Sequence, residues 1–238
     1  MGRKYDGSYA EYTLVPSTQV IPLKNIANLD WPTLAAIPET FLTAWGSLNE
    51  AMDIKNGETL LIRGGTTSVG MAATSIAKEL GLTVVATARN KIKEDALLAN
   101  GADHVIIDDG EISSKVKQIF PGGVNYILEL IGPVTLLDSL KAAAPGGIVC
   151  DTGIVGGEWS LKHFDPISDI PPTVKLTSYK SEAITADNSK NALDCIITRV
   201  ANGCYHLNLE KVFSFDEIAN AHRYMEENKA NGKLVVIV

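Results

Sequence analysis

From about residue 57 onward, short apolar runs alternate with stretches of helical periodicity. The apolar runs are rich in Val, Ile and Leu and nearly continuous, which is typical of strands buried on both faces of a sheet. Glycines directly after the first two helical stretches supply the left-handed residue of a C-cap. The pattern predicts strands over Thr59–Arg63, Thr83–Ala88, His104–Ile107, Asn125–Leu130, Ile148–Asp151 and Val174–Tyr179, and helices over Val69–Leu80, Lys91–Asn100, Ile112–Phe120 and Val134–Ala143.

Alternation of strands and helices at this spacing predicts right-handed crossovers, and hence an α/β fold with a doubly wound parallel sheet. The flanks break the alternation and indicate a second, incomplete domain. We therefore divide the chain into residues 1–50, a central domain over residues 51–185, and residues 186–238, which complete both domains. The flanks predict a strand over Tyr9–Val15, a helix over residues 32–52 interrupted at Pro38, a helix over Phe215–Asn228 with Ser214 as its N-cap, and a strand over Leu234–Val238.

Composition and charge narrow the classes of protein. The 238 residues carry a net charge of −7, which argues against a nucleic acid or an anionic membrane as the partner. No apolar run reaches the roughly 18 residues of a membrane span, and the opening MGRKYDGSYAEY lacks the apolar core of a signal peptide. Cys150, Cys195 and Cys204 are too few for a disulfide framework or a zinc cage, and free thiols suit a reducing compartment. These features favour a cytoplasmic enzyme or binding protein.

The most informative stretch is a glycine-rich turn between the first predicted strand and its helix, TLLIRGGTTSVGMAATSIAKELG. Such a turn lets backbone N–H groups at the helix start face a pyrophosphate, and the helix dipole adds to the attraction. Thr67 stands where the G-x-G-x-x-G pattern has its second glycine, so its side chain should push the pyrophosphate outward or bind it through the hydroxyl. An ordinary strand–turn–helix corner without a ligand is the alternative. The candidate contacts are Gly65, Thr66, Thr67, Ser68 and Val69.

The choice of dinucleotide depends on the end of the second predicted strand. An NAD site usually has Asp or Glu there, which binds the ribose 2′-hydroxyl. This chain has Ala88, Arg89 and Asn90 instead, and no carboxylate follows before Glu94. Arg89, with Lys93 one turn along, offers positive charge to a 2′-phosphate that a carboxylate would repel. The sequence therefore favours NADP(H), with two solvated surface cations as the alternative.

Six segments, in order along the chain, carry a family likeness: DGSYAEYTLVP, PETFLTAWGSL, RGGTTSVGMAATSIAKELG, ELIG, PGGIV and ENKANGKLVVIV. Together they resemble the medium-chain dehydrogenase/reductase superfamily, specifically its zinc-free quinone oxidoreductase-like branch, which is related to alcohol dehydrogenases. The resemblance implies a Rossmann fold with a remnant of a second, GroES-like catalytic domain whose N-terminal part is absent from this sequence. It also implies a homodimer formed at the edge strand that carries Ser178 and Tyr179.

The resemblance further implies roles for individual residues. Thr43 matches a threonine near the nicotinamide ring, and Arg89 and Lys93 match contacts to the 2′-phosphate. Thr67, Ser68 and Val69 match the pyrophosphate turn. The other matching positions are Leu130, Ile131 and Gly132 on the adenosine side, Gly153 and Ile154 at the nicotinamide half, and Asn231 and Lys233 at a C-terminal contact near the cofactor.

No metal is expected in this chain. Zinc-dependent relatives have Cys four residues before the threonine matched by Thr43, where this chain has Glu39, and its histidines show no ligand spacing. Without a Lewis acid to polarise an alcohol, the resemblance favours hydride transfer from NADPH to a quinone, enone or related carbonyl compound. No catalytic residue is assigned: Cys150 is expected in the strand core, and Glu129 and Asp151 are expected to be solvated strand ends.

Two other functions stay open. A zinc-type alcohol dehydrogenase relative would hold a metal tightly in the intact protein. A truncated module without activity of its own would bind NADPH but turn over no acceptor.

Overall fold

The computed structural model describes residues 7–24, 26, 28–181, 184–227, 229–230 and 232–238, without the side chains of residues 186–188. The chain forms two compact units. The larger unit runs from Ala44 to Tyr179, and the smaller one combines the residues up to Thr43 with those from Lys180 onward. The assignment of the flanks to a catalytic domain stays a prediction.

The elements fall in the following order. The helices are α1 (Trp31–Trp45), α2 (Ser68–Glu79), α3 (Glu94–Ala99), α4 (Ser113–Ile119), α5 (Pro133–Ala142), α6 (Pro166–Asp169), α7 (Ala186–Ala201) and α8 (Ile218–Glu226). The strands are β1 (Thr59–Arg63), β2 (Thr83–Ala88), β3 (His104–Ile107), β4 (Val124–Glu129), β5 (Ala143–Asp151), β6 (Lys175–Ser178), β7 (Leu209–Ser214) and β8 (Lys233–Ile237).

The larger unit is built on a six-stranded sheet with the order β3-β2-β1-β4-β5-β6. Every neighbouring pair of these strands is parallel. Along the chain the sheet grows outward from β1 towards β3 and then outward from β4 towards β6. This arrangement confirms the predicted doubly wound parallel sheet, and each of the six strands predicted for the region from Thr59 to Tyr179 overlaps an observed one.

Apolar side chains on both faces explain why these runs form central strands. Leu61 and Ile127 belong to a core with Leu136 and Leu140 of α5 on one face. Ala86 and Ala88 of β2 form a separate core with Leu97 of α3. Their neighbour Val85 belongs to the first core, and successive residues of a strand face opposite sides of the sheet. The sheet is therefore covered by helices on both sides, as a parallel sheet requires.

The smaller unit contains α7, α8 and the parallel pair β7 and β8. Phe41 of α1 stacks on Tyr205, with 5.7 Å between the ring centroids. Ser214 caps the turn before α8 in a reciprocal pair with Glu217, which confirms the predicted N-cap. Asn228, the predicted end of that helix, lies outside the described residues.

Two predictions for the flanks are wrong. Residues 9–15 form no strand; Tyr12 is 91% exposed and Leu14 is 95% exposed, and a strand needs a neighbour to accept its backbone hydrogen bonds. The helix predicted over residues 32–52 is not interrupted at Pro38, because α1 continues through this exposed proline. It ends at Trp45, where a π-helix over Gly46–Ala51 follows.

In the part of the chain that the structure describes, no helix combines the length and the hydropathy needed to cross a bilayer. One edge of the larger sheet is β6, whose outer side has no neighbouring strand among the described residues. Dimer formation through this edge stays a prediction.

Candidate functional site

The carboxyl ends of β1 and β4 lie side by side, with Arg63 in register with Glu129. From this point α2 follows β1 and α5 follows β4, while the sheet extends in opposite directions from the two strands. This is the topological switch point at which doubly wound sheets bind their ligands. Most of the residues predicted to contact the cofactor follow strands at this edge.

The turn after β1 closes through the side chain of Thr67, the N-cap residue of α2. Its hydroxyl donates to the Gly64 carbonyl oxygen at 2.8 Å and accepts from the Gly70 N–H at 3.0 Å. The hydroxyl is therefore used within the turn rather than offered to a phosphate. Gly64 adopts a φ of +91°, which an L side chain rarely adopts.

Open backbone donors lie at the start of α2. Among the described residues, no acceptor within hydrogen-bond distance is found for the N–H groups of Ser68 and Val69, as expected in the first turn of a helix. Thr66, Ser68 and Val69 are half-buried, whereas Gly65 is buried against β2. An anion at this helix end would meet N–H groups and the positive end of the dipole.

Positive charge follows the next strand. Arg89 comes directly after β2 and is exposed, and its guanidinium forms no ion pair or hydrogen bond with any described residue. Lys93 is half-buried in the short turn Lys91–Lys93 that precedes α3. A free guanidinium at this position offers planar, paired donors to a phosphate group.

The turns after β4 and β5 are joined by backbone hydrogen bonds. The N–H of Gly153 donates to the Glu129 carbonyl oxygen at 3.2 Å, and that of Val155 donates to the Leu130 carbonyl oxygen at 3.2 Å. Leu130 is buried, and Gly153 and Ile154 are half-buried. The structure thus brings these three predicted contacts together, beside the turn after β1.

The remaining predicted contacts do not belong to the larger unit. Thr43 is in α1, in the smaller unit, where its hydroxyl donates to the Glu39 carbonyl oxygen at 2.6 Å. Asn231 lies outside the described residues. Lys233 begins β8 and forms an ion pair with Glu39, with 2.5 Å between Nζ and Oε2.

A buried ion cluster beneath the switch point was not predicted. The Arg63 side chain has no exposed surface. It donates from Nε and Nη2 to the two carboxylate oxygens of Asp108 at 2.9 and 3.0 Å, and from Nη1 to Asp138 at 2.8 Å. Further hydrogen bonds go to the carbonyl oxygens of Thr135 and Gly110 and to the Ser139 hydroxyl. The one signal in the sequence was a charged residue, Arg63, at the end of a strand whose central residues are apolar.

The expectation that Glu129 and Asp151 are solvated strand ends is wrong. Glu129 is fully buried because α5 covers that face; its carboxylate accepts from the N–H groups of Ile131 and Gly132 and from the Ser139 hydroxyl. Burial raises the pKa of Glu129, although these hydrogen bonds and the charge of Arg63 oppose the shift. Cys150, in contrast, is fully buried in β5 as expected, and burial raises the pKa of its thiol to about 11.

Asp151 has a buried carboxylate oxygen, Oδ1, without a hydrogen-bond partner among the described residues. Desolvation raises the pKa of Asp151 to about 6. Because the folded-state pKa lies above the ordinary value of 3.8, the charged form destabilises the fold. This cost is absent below pH ~4, where both states are protonated, and it reaches its full size above pH ~6.

Replacing Asp151 with Asn should therefore stabilise the chain at pH 7.5. The shift corresponds to about 3 kcal/mol in the free energy of unfolding; discounted for the half-exposed carboxyl group, we expect about 1–2 kcal/mol. The measurement is urea unfolding at pH 7.5 and pH 4, where the gain should vanish. Glu111→Gln, at an exposed carboxylate that forms no ion pair with a described residue, is the control. A gain of equal size at both pH values would contradict the prediction.

Comparison with known proteins assigns the family. A family model described as "Zinc-binding dehydrogenase" matches residues 100–236, which is more than half of the chain. The chain belongs to this family. It is a member of the medium-chain dehydrogenase/reductase superfamily, in the quinone oxidoreductase-like branch that its sequence resembles, and thus of a group of oxidoreductases.

The relatives of this zinc-binding dehydrogenase family member are longer than the chain itself. Quinone oxidoreductase of Homo sapiens is 26% identical over 236 residues, which cover 98% of this chain and 70% of that protein. The 2-haloacrylate reductase of Burkholderia sp is 26% identical over 243 residues, which cover 97% and 71%. The crystal structure of AibC aligns with a TM-score of 0.85 at 26% identity, over 100% of this chain but 64% of that one.

The described residues of this family member do not fit a zinc ion. Glu39, at the position where zinc-dependent relatives have Cys, forms an ion pair with Lys233. Among the described residues, no group of three or more His, Cys, Asp and Glu side chains could hold a metal.

Proposed function

We propose that this chain binds NADPH and supports hydride transfer to a quinone, an enone or a related carbonyl compound. The observation that carries the proposal is Arg89, a guanidinium free of partners among the described residues, at the strand end where an NAD site has an acid. NADPH itself supplies the hydride, and the protein supplies binding, orientation and electrostatics.

The phosphates of the cofactor meet two groups of donors in this proposal. The N–H groups of Ser68 and Val69 and the hydroxyl of Thr66 bind the pyrophosphate at the start of α2. Arg89 binds the 2′-phosphate through charge-assisted hydrogen bonds, and Lys93 adds positive charge nearby. Gly65 lets the backbone pass close to β2, where a Cβ would lie 2.8 Å from the Cβ of Ala86.

The nicotinamide half follows β5 in this proposal. Gly153 and Ile154 lie against the ring, and Leu130 closes the neighbouring wall. The family likeness adds Thr43 and Asn231. Quinones and haloacrylates, named in two of the relatives, share a C=C bond conjugated to a carbonyl group, which makes a carbon atom electron-poor. We therefore place acceptors with this conjugated system first.

Titration with NADPH and with NADH, followed by nicotinamide fluorescence, tests the cofactor. We expect NADPH to bind at least about tenfold more tightly than NADH, since charge-assisted hydrogen bonds contribute about 1.5–3 kcal/mol. Arg89→Ala should abolish the preference and leave NADH affinity unchanged. Arg223→Ala, which removes an exposed arginine from α8, is the matched control and should keep the preference.

Equal affinities of the unaltered chain for the two nucleotides would refute the choice of NADPH. The acceptor is tested next, with quinones and enones as substrates and NADPH oxidation as the readout. Tight NADPH binding without oxidation for any acceptor would favour the binding module without activity of its own.

A further inference from the structure

We infer that Glu129 is a positioning residue for the cofactor: its buried carboxylate holds the turns that carry Leu130, Gly153 and Ile154. This inference rests on the proposed function, because these residues are its proposed contacts. Glu129 does not contact the cofactor in this scheme and acts through the backbone of its neighbours.

The carboxylate caps the turn after β4 from within the protein. Its Oε1 accepts from the N–H of Ile131 at 2.8 Å and from that of Gly132 at 3.1 Å. Gly132 is the residue before α5 and has a φ of +97°. Glu129 therefore fixes the backbone N–H groups of the two residues that lead into α5, the N-cap residue Gly132 included.

The turn after β5 depends on the turn that Glu129 holds. The carbonyl oxygen of Glu129 accepts from the N–H groups of Thr152 and Gly153, at 2.9 and 3.2 Å, and that of Ile131 accepts from the N–H of Gly156 at 2.9 Å. The backbones approach so closely that a Cβ on Gly153 would lie 2.2 Å from the Leu130 carbonyl oxygen. A displacement of residues 130–132 would therefore move Gly153 and Ile154 as well.

Glu129 also separates the roles of the two helix N-termini at the switch point. The carboxylate occupies N–H groups at the entry to α5, whereas no acceptor within reach of the Ser68 and Val69 N–H groups of α2 is found in the described part of the chain. Two helix ends could each attract an anion. With the second already paired to a protein carboxylate, the pyrophosphate is directed to α2.

Glu129 is in turn held in place by α5 and β1. Its Oε2 accepts from the Ser139 hydroxyl, and that hydroxyl accepts from Nη1 of Arg63 at 3.1 Å. Arg63 lies in register with Glu129 on the neighbouring strand, and its charge favours the carboxylate. Because Arg63 also pairs with Asp108 and Asp138, loss of the Glu129 charge leaves no buried cation unpaired.

The experiment compares Glu129→Met with Glu129→Gln in the full chain. Methionine keeps the length and removes both acceptors, whereas the glutamine carbonyl can still accept from Ile131 and Gly132. Affinities are measured for NADPH and for adenosine 2′,5′-bisphosphate, which shares the proposed contacts with the turn after β1, with Arg89 and with the adenosine-side turn after β4 but has no nicotinamide half. The second ligand reports whether that part of the site remains folded.

We expect Glu129→Met to weaken NADPH binding by at least about tenfold and bisphosphate binding by a smaller factor, because only NADPH also loses the contacts with Gly153 and Ile154. Glu129→Gln should stay within about threefold for both ligands. If Glu129→Met does not fold, Ser139→Ala replaces it, because it removes the hydroxyl that holds Oε2. NADPH affinity should then fall by a larger factor than bisphosphate affinity.

Three results would overturn the positioning role: unchanged NADPH affinity in Glu129→Met or its replacement, equal losses for both ligands, or a glutamine variant as weak as the methionine one. Failure of the proposed function looks different, because the unaltered chain itself would then fail to bind NADPH. In that case the inference falls with it.

Discussion

Replacement of Arg63 with methionine should lower the free energy of unfolding at pH 7 by about 3–5 kcal/mol. The guanidinium is the shared partner of Asp108 and Asp138, whose side chains are only 10% and 14% exposed. Methionine fills a similar space but leaves both buried carboxylates without their cation. Removal of one partner of a buried ion pair is costly for this reason, whatever the net contribution of the intact pair.

The loss should depend on pH. Desolvation alone would raise the pKa of Asp138, but hydrogen bonds from Ile112 and Ser113 and the charge of Arg63 hold it below its usual value. The stability gained from this lowered pKa is present above pH ~4 and is lost as pH falls through the folded-state pKa. The variant lacks part of this gain, so its deficit should be largest at neutral pH and shrink below pH ~4.

Urea unfolding at pH 7 and pH 3.5, followed by circular dichroism, measures the deficit. Arg63→Lys keeps the charge but has one nitrogen instead of three, so an intermediate loss is expected. Arg223→Met, at an exposed arginine, should change stability by less than about 0.5 kcal/mol. A methionine variant as stable as the unaltered chain at pH 7 would show that the cluster is dispensable.

Replacement of Gly70 with alanine should disrupt the turn after β1. A Cβ at Gly70 would lie 2.6 Å from the Gly64 carbonyl oxygen and 2.9 Å from the Gly65 Cα. Both are backbone atoms, so the turn itself must shift. We expect a loss of about 1–3 kcal/mol in stability from overpacking and at least about tenfold weaker NADPH binding, because the Ser68 and Val69 N–H groups move with the turn.

The matched control is Gly122→Ala, in the loop before β4, where no atom lies within 4 Å of an added Cβ. It should leave both stability and affinity nearly unchanged. Calorimetric titration with NADPH and thermal unfolding of both variants give the two readouts. Unchanged NADPH affinity in Gly70→Ala would place the pyrophosphate away from this turn.

The sheet could be predicted from the sequence because its signals are local. The apolar run Thr59–Arg63 and the glycines after it are contiguous, and the same holds for the other central strands. The pattern over Tyr9–Val15 was equally local. A strand forms only beside a neighbouring strand, however, and an alternation of polar and apolar residues does not reveal whether such a neighbour exists. The predicted interruption at Pro38 was wrong because proline is only disfavoured inside helices, and helix α1 continues through this residue.

The ion cluster could not be predicted in the same way. Asp108 and Asp138 follow Arg63 by 45 and 75 positions, so no spacing in the sequence links them. Glu129 is the last residue of a strand, a position that is usually exposed to solvent. It is buried because α5 packs over it, which the local sequence does not show. Thr67 was recognised as a departure from the glycine pattern, but its double hydrogen bond within the turn depends on backbone angles.

The Arg63 cluster also limits how this sequence can change over evolutionary time. An apolar residue at position 63 is acceptable only after the acids at positions 108 and 138 have gone, and loss of the acids first leaves a buried cation. Both orders of change therefore pass through an intermediate with an unmatched buried charge. We therefore expect these three positions to change together, and a chimaera that joins β1 of this chain to an α5 without an acid at position 138 would lose one partner of the buried cation.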